Sequence, residues 1–433
     1  NLGFITRTFN ACLYPHLLDH GWPMYLKDAI TENRYGYITY GFFEMGGDAF
    51  WAANLGDHRR NQRLIRVEAA LASNPQGTLP RSFETWADLK AAYRLFGQEE
   101  VTYEKIIFGH WDHTRECCGQ PGEYLLVEDN TQLDFTSHPA AKGLGFVGDG
   151  GGQGIMLHST LALRVEQWRD DEPVVSVVGL FAQKPWVRDH PPRRKHEKKK
   201  DRLQRDRESQ RWAEALGDAA LPGPNVRQTY IADRESDVYE VFQEFKSHPE
   251  RDYIIRACWP RALNGQTGSV FDAVAQGSVL GEFSLKLRAR PGVRARTARL
   301  EIRACQVTLR PPLRPGGKGP PCQTNVVEVQ EVDPPSGIKP LHWVLLTSWV
   351  AGTFKQIMRV IKTYTRRWLI EEYHKALKTG VRMEASELST CQRILSLLGI
   401  LAVVAVLLLD IKFQAVTAGV ETPEPDCVPS VVF

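Results

Sequence analysis

Tyr364-Thr-Arg-Arg367-Trp-Leu-Ile-Glu371-Glu-Tyr-His-Lys-Ala-Leu-Lys378 runs without a Pro or Gly. Its Tyr364, Arg367, Glu371 and Lys378 are offset by 3, 7 and 14 residues. At about 100° per helical residue, the four fall within roughly 60° of one another. The spacing predicts one helix ending at Gly380, the residue type favoured just past a helix C-terminus. One face of that helix carries a phenol, a guanidinium, a carboxylate and an ammonium in a row. Such a face suits a phosphodiester with metal ions beside it better than a hydrophobic core.

Two further acids stand at telling places upstream. Leu125-Leu-Val-Glu128-Asp129-Asn130-Thr131 puts an acid at the end of a first strand, and Thr229-Tyr-Ile-Ala-Asp233-Arg234-Glu235-Ser236-Asp237 puts another at the end of a fourth, where a helix begins. Acids at the carboxyl ends of neighbouring strands converge, and a helix crossing that edge can add a third. Asp129, Asp233 and Glu371, with no Cys/His set nearby, suit hard cations such as Mg²⁺ or Mn²⁺. Two such ions about 4 Å apart serve phosphoryl transfer. Taken singly, Asp129 also reads as a turn residue and Asp233 as a helix cap.

Around these acids, Tyr124–Glu128, Gly154–Arg164, Val174–Lys184, Gln228–Ala232 and Tyr253–Ala257 read as strands, with helices at Ser209–Leu216 and Asp237–Lys246. That is an α/β sheet with a hairpin start. Residues 262–340 change character, with short strands at Glu282–Arg288, Thr297–Arg303, Gln306–Leu309 and Val326–Gln330 between Pro/Gly-rich turns: an antiparallel β insertion. The α/β pattern resumes at Trp343–Leu346. Upstream, Asp57 reads as the cap of an amphipathic helix lined by Arg59, Arg60 and Arg63, followed by helices over Glu84–Phe96 and from Val101. The domains expected are therefore an unassigned segment 1–47, a helical domain 48–120, a core in two parts, 121–261 and 341–412, split by the insertion 262–340, and an irregular or truncated tail 413–433.

Whole-chain properties are less informative. The 433 residues are 42% hydrophobic and 24% charged, with a net charge of +3 that by itself does not announce nucleic acid. Charge is concentrated instead: residues 193–207 hold nine Lys/Arg against three acids, readable as a DNA contact or a solvated loop. Eight cysteines without a C-x-x-C pair speak against zinc ribbons and disulfide scaffolds, and for reduced thiols in a cytoplasmic protein. Ile394–Leu409 is nearly pure apolar, short of the roughly 20 residues of a membrane span, and reads as a buried helix.

Taken in order, the segments resemble the DDE transposases of bacterial insertion sequences, in the insertion-sequence-four family with its Y-(2)-R-(3)-E-(6)-K signature. The matching pieces are Leu55-Gly-Asp57-x-Arg59-Arg60-x-x-Arg63-Leu64, Glu128-Asp129-x-Thr131, Asp233-Arg234-Glu235-x-Asp237, Trp343-x-Leu-Leu-Thr347 and the stretch from Tyr364 to Gly380. The resemblance spans roughly residues 50–410. It implies a ribonuclease-H-like catalytic core interrupted by the β insertion and preceded by a small helical DNA-binding domain. By the same resemblance, Asp129, Asp233 and Glu371 bind two Mg²⁺ ions, with Mn²⁺ able to substitute. Tyr364, Arg367, Lys375 and Lys378 hold phosphates, and Arg59, Arg60 and Arg63 contact DNA. Trp343 stacks on a flipped base, although on its own it also reads as a core residue. Arg256 lies near the cleaved end, but Cys258 stands where the family carries a lysine.

The implied activity is cut-and-paste transposition. Metal-dependent hydrolysis frees a 3′-OH, the opposite strand is attacked to give a DNA hairpin, and the reopened end is joined to target DNA. The implied partners are double-stranded DNA (terminal inverted repeats and target) and a second copy of the chain in a synaptic dimer, in a bacterial, nucleoid-associated setting with no membrane. The family's C-terminal pairing region has no counterpart in the tail. That leaves a second expectation, a transposase-derived DNA-binding or regulatory protein that lacks synapsis.

Overall fold

A computed structural model describes residues 53–191, 210–218, 221–287, 294–312 and 319–417. The expectations for residues 1–47, for the basic run 193–207 and for residues beyond Thr417 lie outside the described residues.

Three helices open the described chain: α1 (His58–Ser73), α2 (Trp86–Phe96) and α3 (Tyr103–Cys118). Each starts on a side-chain cap, the Asp57 carboxylate accepting from Arg59 N–H, Thr85 Oγ from Asp88 N–H and Thr102 Oγ from Lys105 N–H. Leu64, Val67 and Leu71, at helical spacing, form the buried stripe of α1.

The centre is one mixed, mostly antiparallel sheet. Its strands are β1 (Gly122–Asp134), β2 (Gly145–Val147), β3 (Gly152–Arg169), β4 (Glu172–Trp186), β5 (Val226–Ala232), β6 (Arg251–Arg256), β7 (Gly281–Leu287), β8 (Arg296–Leu309), β9 (Cys322–Val332) and β10 (His342–Thr347). The spatial order is β2-β3-β1-β5-β6-β10-β9-β8-β7, with β4 also pairing β3, on the edge opposite β1. β1 pairs antiparallel with β3 and parallel with β5, and β5 pairs parallel with β6. The helices α4 (Gln210–Asp218), α5 (Tyr239–Ser247) and α6 (Val270–Ala275) intervene between strands, and α7 (Phe354–Tyr364), α8 (Trp368–Lys375) and α9 (Cys391–Thr417) follow them.

The sheet is buried on both faces, so its strands alternate between two apolar layers. On β1, Leu125 and Val127 join the layer with α1, α7 and α9, while Tyr124 and Leu126 join the layer with α4 and α5. Each such fully buried aliphatic side chain contributes roughly 1.5–3 kcal/mol of transfer free energy. Helix α9 is long and apolar enough to cross a membrane, but it is enclosed by protein, packed on α3. Its Gly399 allows that approach: a Cβ there would stand 2.9 Å from Ile106 Cγ2.

The antiparallel strands expected in 262–340 are present as β7–β9, and the pairing of β9 with β10 joins them to the central sheet. Three expectations need correction. The two short strands expected at 297–303 and 306–309 are one strand, β8. The first strand does not end near Asp129: pairing with β3 carries β1 to Asp134, and only its pairing with β5 stops at Glu128. The boundary set at 412 falls inside α9, which continues to Thr417.

Candidate functional site

The stretch that holds Tyr364 to Lys378 is helical but not uniformly α. A 3₁₀ turn at Thr365–Arg367 joins α7 to α8, and a π turn at Ala376–Gly380 follows α8. The helical run ends at Gly380, and Arg382, before the next 3₁₀ turn, is left-handed with φ 51°. Helix α8 is seated by its buried side. His374 Nε2 lies 3.2 Å from Ser159 Oγ on β3, and Gln183 Nε2 on β4 donates to both Ser159 Oγ (3.0 Å) and Tyr373 Oη (2.7 Å). Ser159 is the register partner of Asp129, so this anchoring sets Glu371, one turn before His374, over the acid on β1.

Two of the three acids expected to converge, Asp129 and Glu371, meet at a guanidinium. Arg367 Nη1 donates to Asp129 Oδ2 at 3.1 Å, and its Nη2 donates to Glu371 Oε1. The Asp233 carboxylate, at the end of β5, is close enough to act on Asp129 directly. Burial, and then the charges of Asp233 and Glu371, push the Asp129 carboxyl up to about 7 against the opposing pull of Arg367. Burial alone would lower the Arg367 guanidinium, but Tyr364, Asp129 and Glu371 outweigh it and hold it above its ordinary value. Arg256, at the end of β6, joins the same cluster beside Tyr364, Arg234, Arg367 and Asp233. Its Nη2 donates to His342 O at 3.2 Å.

Both aspartates are oriented by local backbone. Asn130 N–H donates to Asp129 Oδ1 and Glu235 N–H donates to Asp233 Oδ1, each at 2.8 Å. Asp233 is thus both the cap of a 3₁₀ turn and a member of the acid cluster, while Asp129 lies within a strand rather than a turn.

The donor chemistry fits a hard divalent cation: three carboxylates, with Asp129 poorly hydrated and close to a second acid. Among the described residues, no three His, Cys, Asp or Glu side chains stand as a ready ligand set, and Arg367 lies between Asp129 and Glu371.

The expected DNA contacts divide. Trp343 is 1% exposed and Tyr364 2% exposed, packed edge-on at 6.1 Å. Neither ring has a face open to a base or a phosphate, because alternation along β10 directs Trp343 into the layer beneath α7. Base stacking by Trp343 is therefore corrected to core packing, and Tyr364 lines the acid cluster from below. Lys375 is exposed. Lys378 lines an open groove of about 1160 Å³ with Gln76 and Arg81 from the helical domain and His138, Arg382 and Glu384 from the core. In α1, Arg59 is exposed, Arg60 Nη1 donates to Leu55 O at 3.0 Å, and Arg63 pairs with Asp88 at 2.9 Å.

A family model described as transposase DNA-binding matches residues 47–101. That span contains α1 and α2 with Arg59, Arg60 and Arg63. The match supports a transposase, and DNA as a partner of this helical domain.

Three participants were not assigned from the sequence. Asn130 and Glu235 were visible within matching segments but without a role, and His158 gave no signal, because its place opposite Asn130 follows only from the β1–β3 register. Asp237, within the same acidic segment as Asp233, is fully buried. Its carboxylate accepts from Cys258 N–H, Trp259 N–H and Arg261 Nε, and so fixes the turn after β6.

Proposed function

We propose that the chain is a DDE transposase that hydrolyses and transfers phosphodiester bonds at transposon ends, with Asp129, Asp233 and Glu371 as the acid set. The observation that carries this is that Arg367 bridges Asp129 of β1 and Glu371 of α8, with Asp233, at the end of β5, near enough to raise the Asp129 carboxyl. The strand order β4-β3-β1-β5-β6, three antiparallel strands extended by two parallel ones, supports a ribonuclease-H-like core of the insertion-sequence-four kind. The carboxylates would hold two Mg²⁺ ions, which supply activation of the attacking oxygen and stabilisation of the leaving one. Arg367 and Arg256, at the cluster, and Lys378, at its outer side, bind and orient backbone phosphates through charged donors. The freed 3′-OH, held in place, attacks the opposite strand, which gives a hairpin without any protein nucleophile. A dimer of this chain on paired ends completes the reading.

The match of residues 47–101 to a transposase DNA-binding model is equally consistent with a second reading, a transposase-derived DNA-binding or regulatory protein that lacks synapsis. A duplex carrying the inverted repeats that flank the coding region, incubated with Mg²⁺, separates the two. Cleavage leaving a 3′-OH at the element end supports the transposase. A gel shift without cleavage supports the DNA-binding protein.

A further inference from the structure

We propose that Asn130, with Glu235 and His158, is a positioning device that sets the spacing of Asp129 and Asp233 for cation binding. This rests on the reading of those aspartates as cation ligands. Each aspartate spends one oxygen on a nearby backbone group: Asp129 Oδ1 accepts from Asn130 N–H and Asp233 Oδ1 accepts from Glu235 N–H. The second oxygen of Asp129 is held by Arg367, which a cation there would displace. The two residues that donate these bonds are tied directly to each other, because Asn130 Nδ2 donates to Glu235 Oε2 at 2.8 Å across the β1–β5 boundary. That boundary is where parallel pairing ends, at Glu128 and Ala232, so no backbone ladder fixes the separation beyond it.

The amide of Asn130 is itself held. Its Oδ1 lies 2.9 Å from His158 Nδ1, so that nitrogen carries the hydrogen and donates. His158 faces Asn130 in the register of β1 and β3, is 2% exposed, and packs edge-on against Trp212 at 4.6 Å. On the same face, Glu128 Oε1 lies 3.9 Å from His158 Nε2 and accepts from Thr160 Oγ1 at 3.1 Å. Strand alternation puts this chain of bonds on the opposite face of β1 from Asp129. It therefore acts on the aspartates through the backbone N–H groups of Asn130 and Glu235.

Outer partners that orient metal ligands typically change metal affinity 10–100-fold when lost. The test is Mn²⁺ affinity of the full chain without DNA, by titration calorimetry, with Asp129→Asn as the control for specific binding and melting temperature recorded for each variant. Asn130→Ala should weaken Mn²⁺ binding about 10–100-fold. Asn130→Leu, which keeps the volume should truncation unfold the chain, should do the same. The paired exchange Asn130→Asp with Glu235→Gln keeps the net charge and rebuilds the bond with donor and acceptor reversed, so affinity should return to within about threefold of wild type. Wild-type affinity in both single variants, or an exchange as weak as Asn130→Ala, overturns the positioning role and leaves the acid set standing. Mn²⁺ uptake by wild type no greater than by Asp129→Asn overturns both.

Discussion

Arg367 carries two carboxylates at once, and its removal leaves Asp129 and Glu371 facing each other without a cation. Breaking a largely buried ion pair by deleting one partner costs about 3–5 kcal/mol, and somewhat less here because Glu371 is 29% exposed. Arg367→Ala should therefore destabilise the metal-free protein by roughly 2–4 kcal/mol in urea denaturation, with Mn²⁺ recovering part of the loss. An unchanged unfolding midpoint would show that the bridge contributes nothing. Glu371 and Arg367 were visible in the sequence because charge at 3.6-residue spacing is conspicuous, and Asp129 and Asp233 because each follows a strand-like apolar run. The burial of Trp343 and Tyr364 was not, since an aromatic residue on a strand or helix reads the same whether it faces solvent or core. Which face is covered depends on the layers above and below, and those come from distant segments.

The elements were legible where their residues are locally consistent. The cap Asp57, and the apolar runs of β5 and β10, need only neighbours to be read. What failed was decided by pairing: the length of β1 beyond Glu128 comes from β3, and the fusion of two expected strands into β8 comes from β9. Helix α1 holds one residue at odds with its amphipathic pattern, Glu68, whose burial raises its carboxyl to about 7. An unfolded chain ionises that group near 4.5, so between about 4.5 and 7 the folded state binds more protons and stability falls as pH rises. Glu68→Gln should stabilise the protein by about 1–3 kcal/mol at pH 8, and the gain should vanish near pH 4. Thermal denaturation of both proteins across that range checks it, and a gain independent of pH would contradict the assignment.

For the whole molecule, the helical domain supplies DNA affinity and the sheet supplies the acids, with the Lys378 groove lying between them. Affinity at exposed cations is salt-dependent, and removing one cation that pairs with a DNA phosphate should reduce the log–log salt slope by about 0.9. Arg59→Ala should show that reduction. Arg63→Ala should show less, because its guanidinium is already paired with Asp88. Equal slopes for the two would contradict the assignment of α1. The central claim, that Asp129, Asp233 and Glu371 together perform phosphodiester chemistry, is tested most directly by Glu371→Gln. It should bind DNA carrying the flanking inverted repeats as tightly as wild type, while Mg²⁺-dependent cleavage falls on the order of a thousandfold. Cleavage by Glu371→Gln at the wild-type rate, or none by wild type itself, would contradict the account.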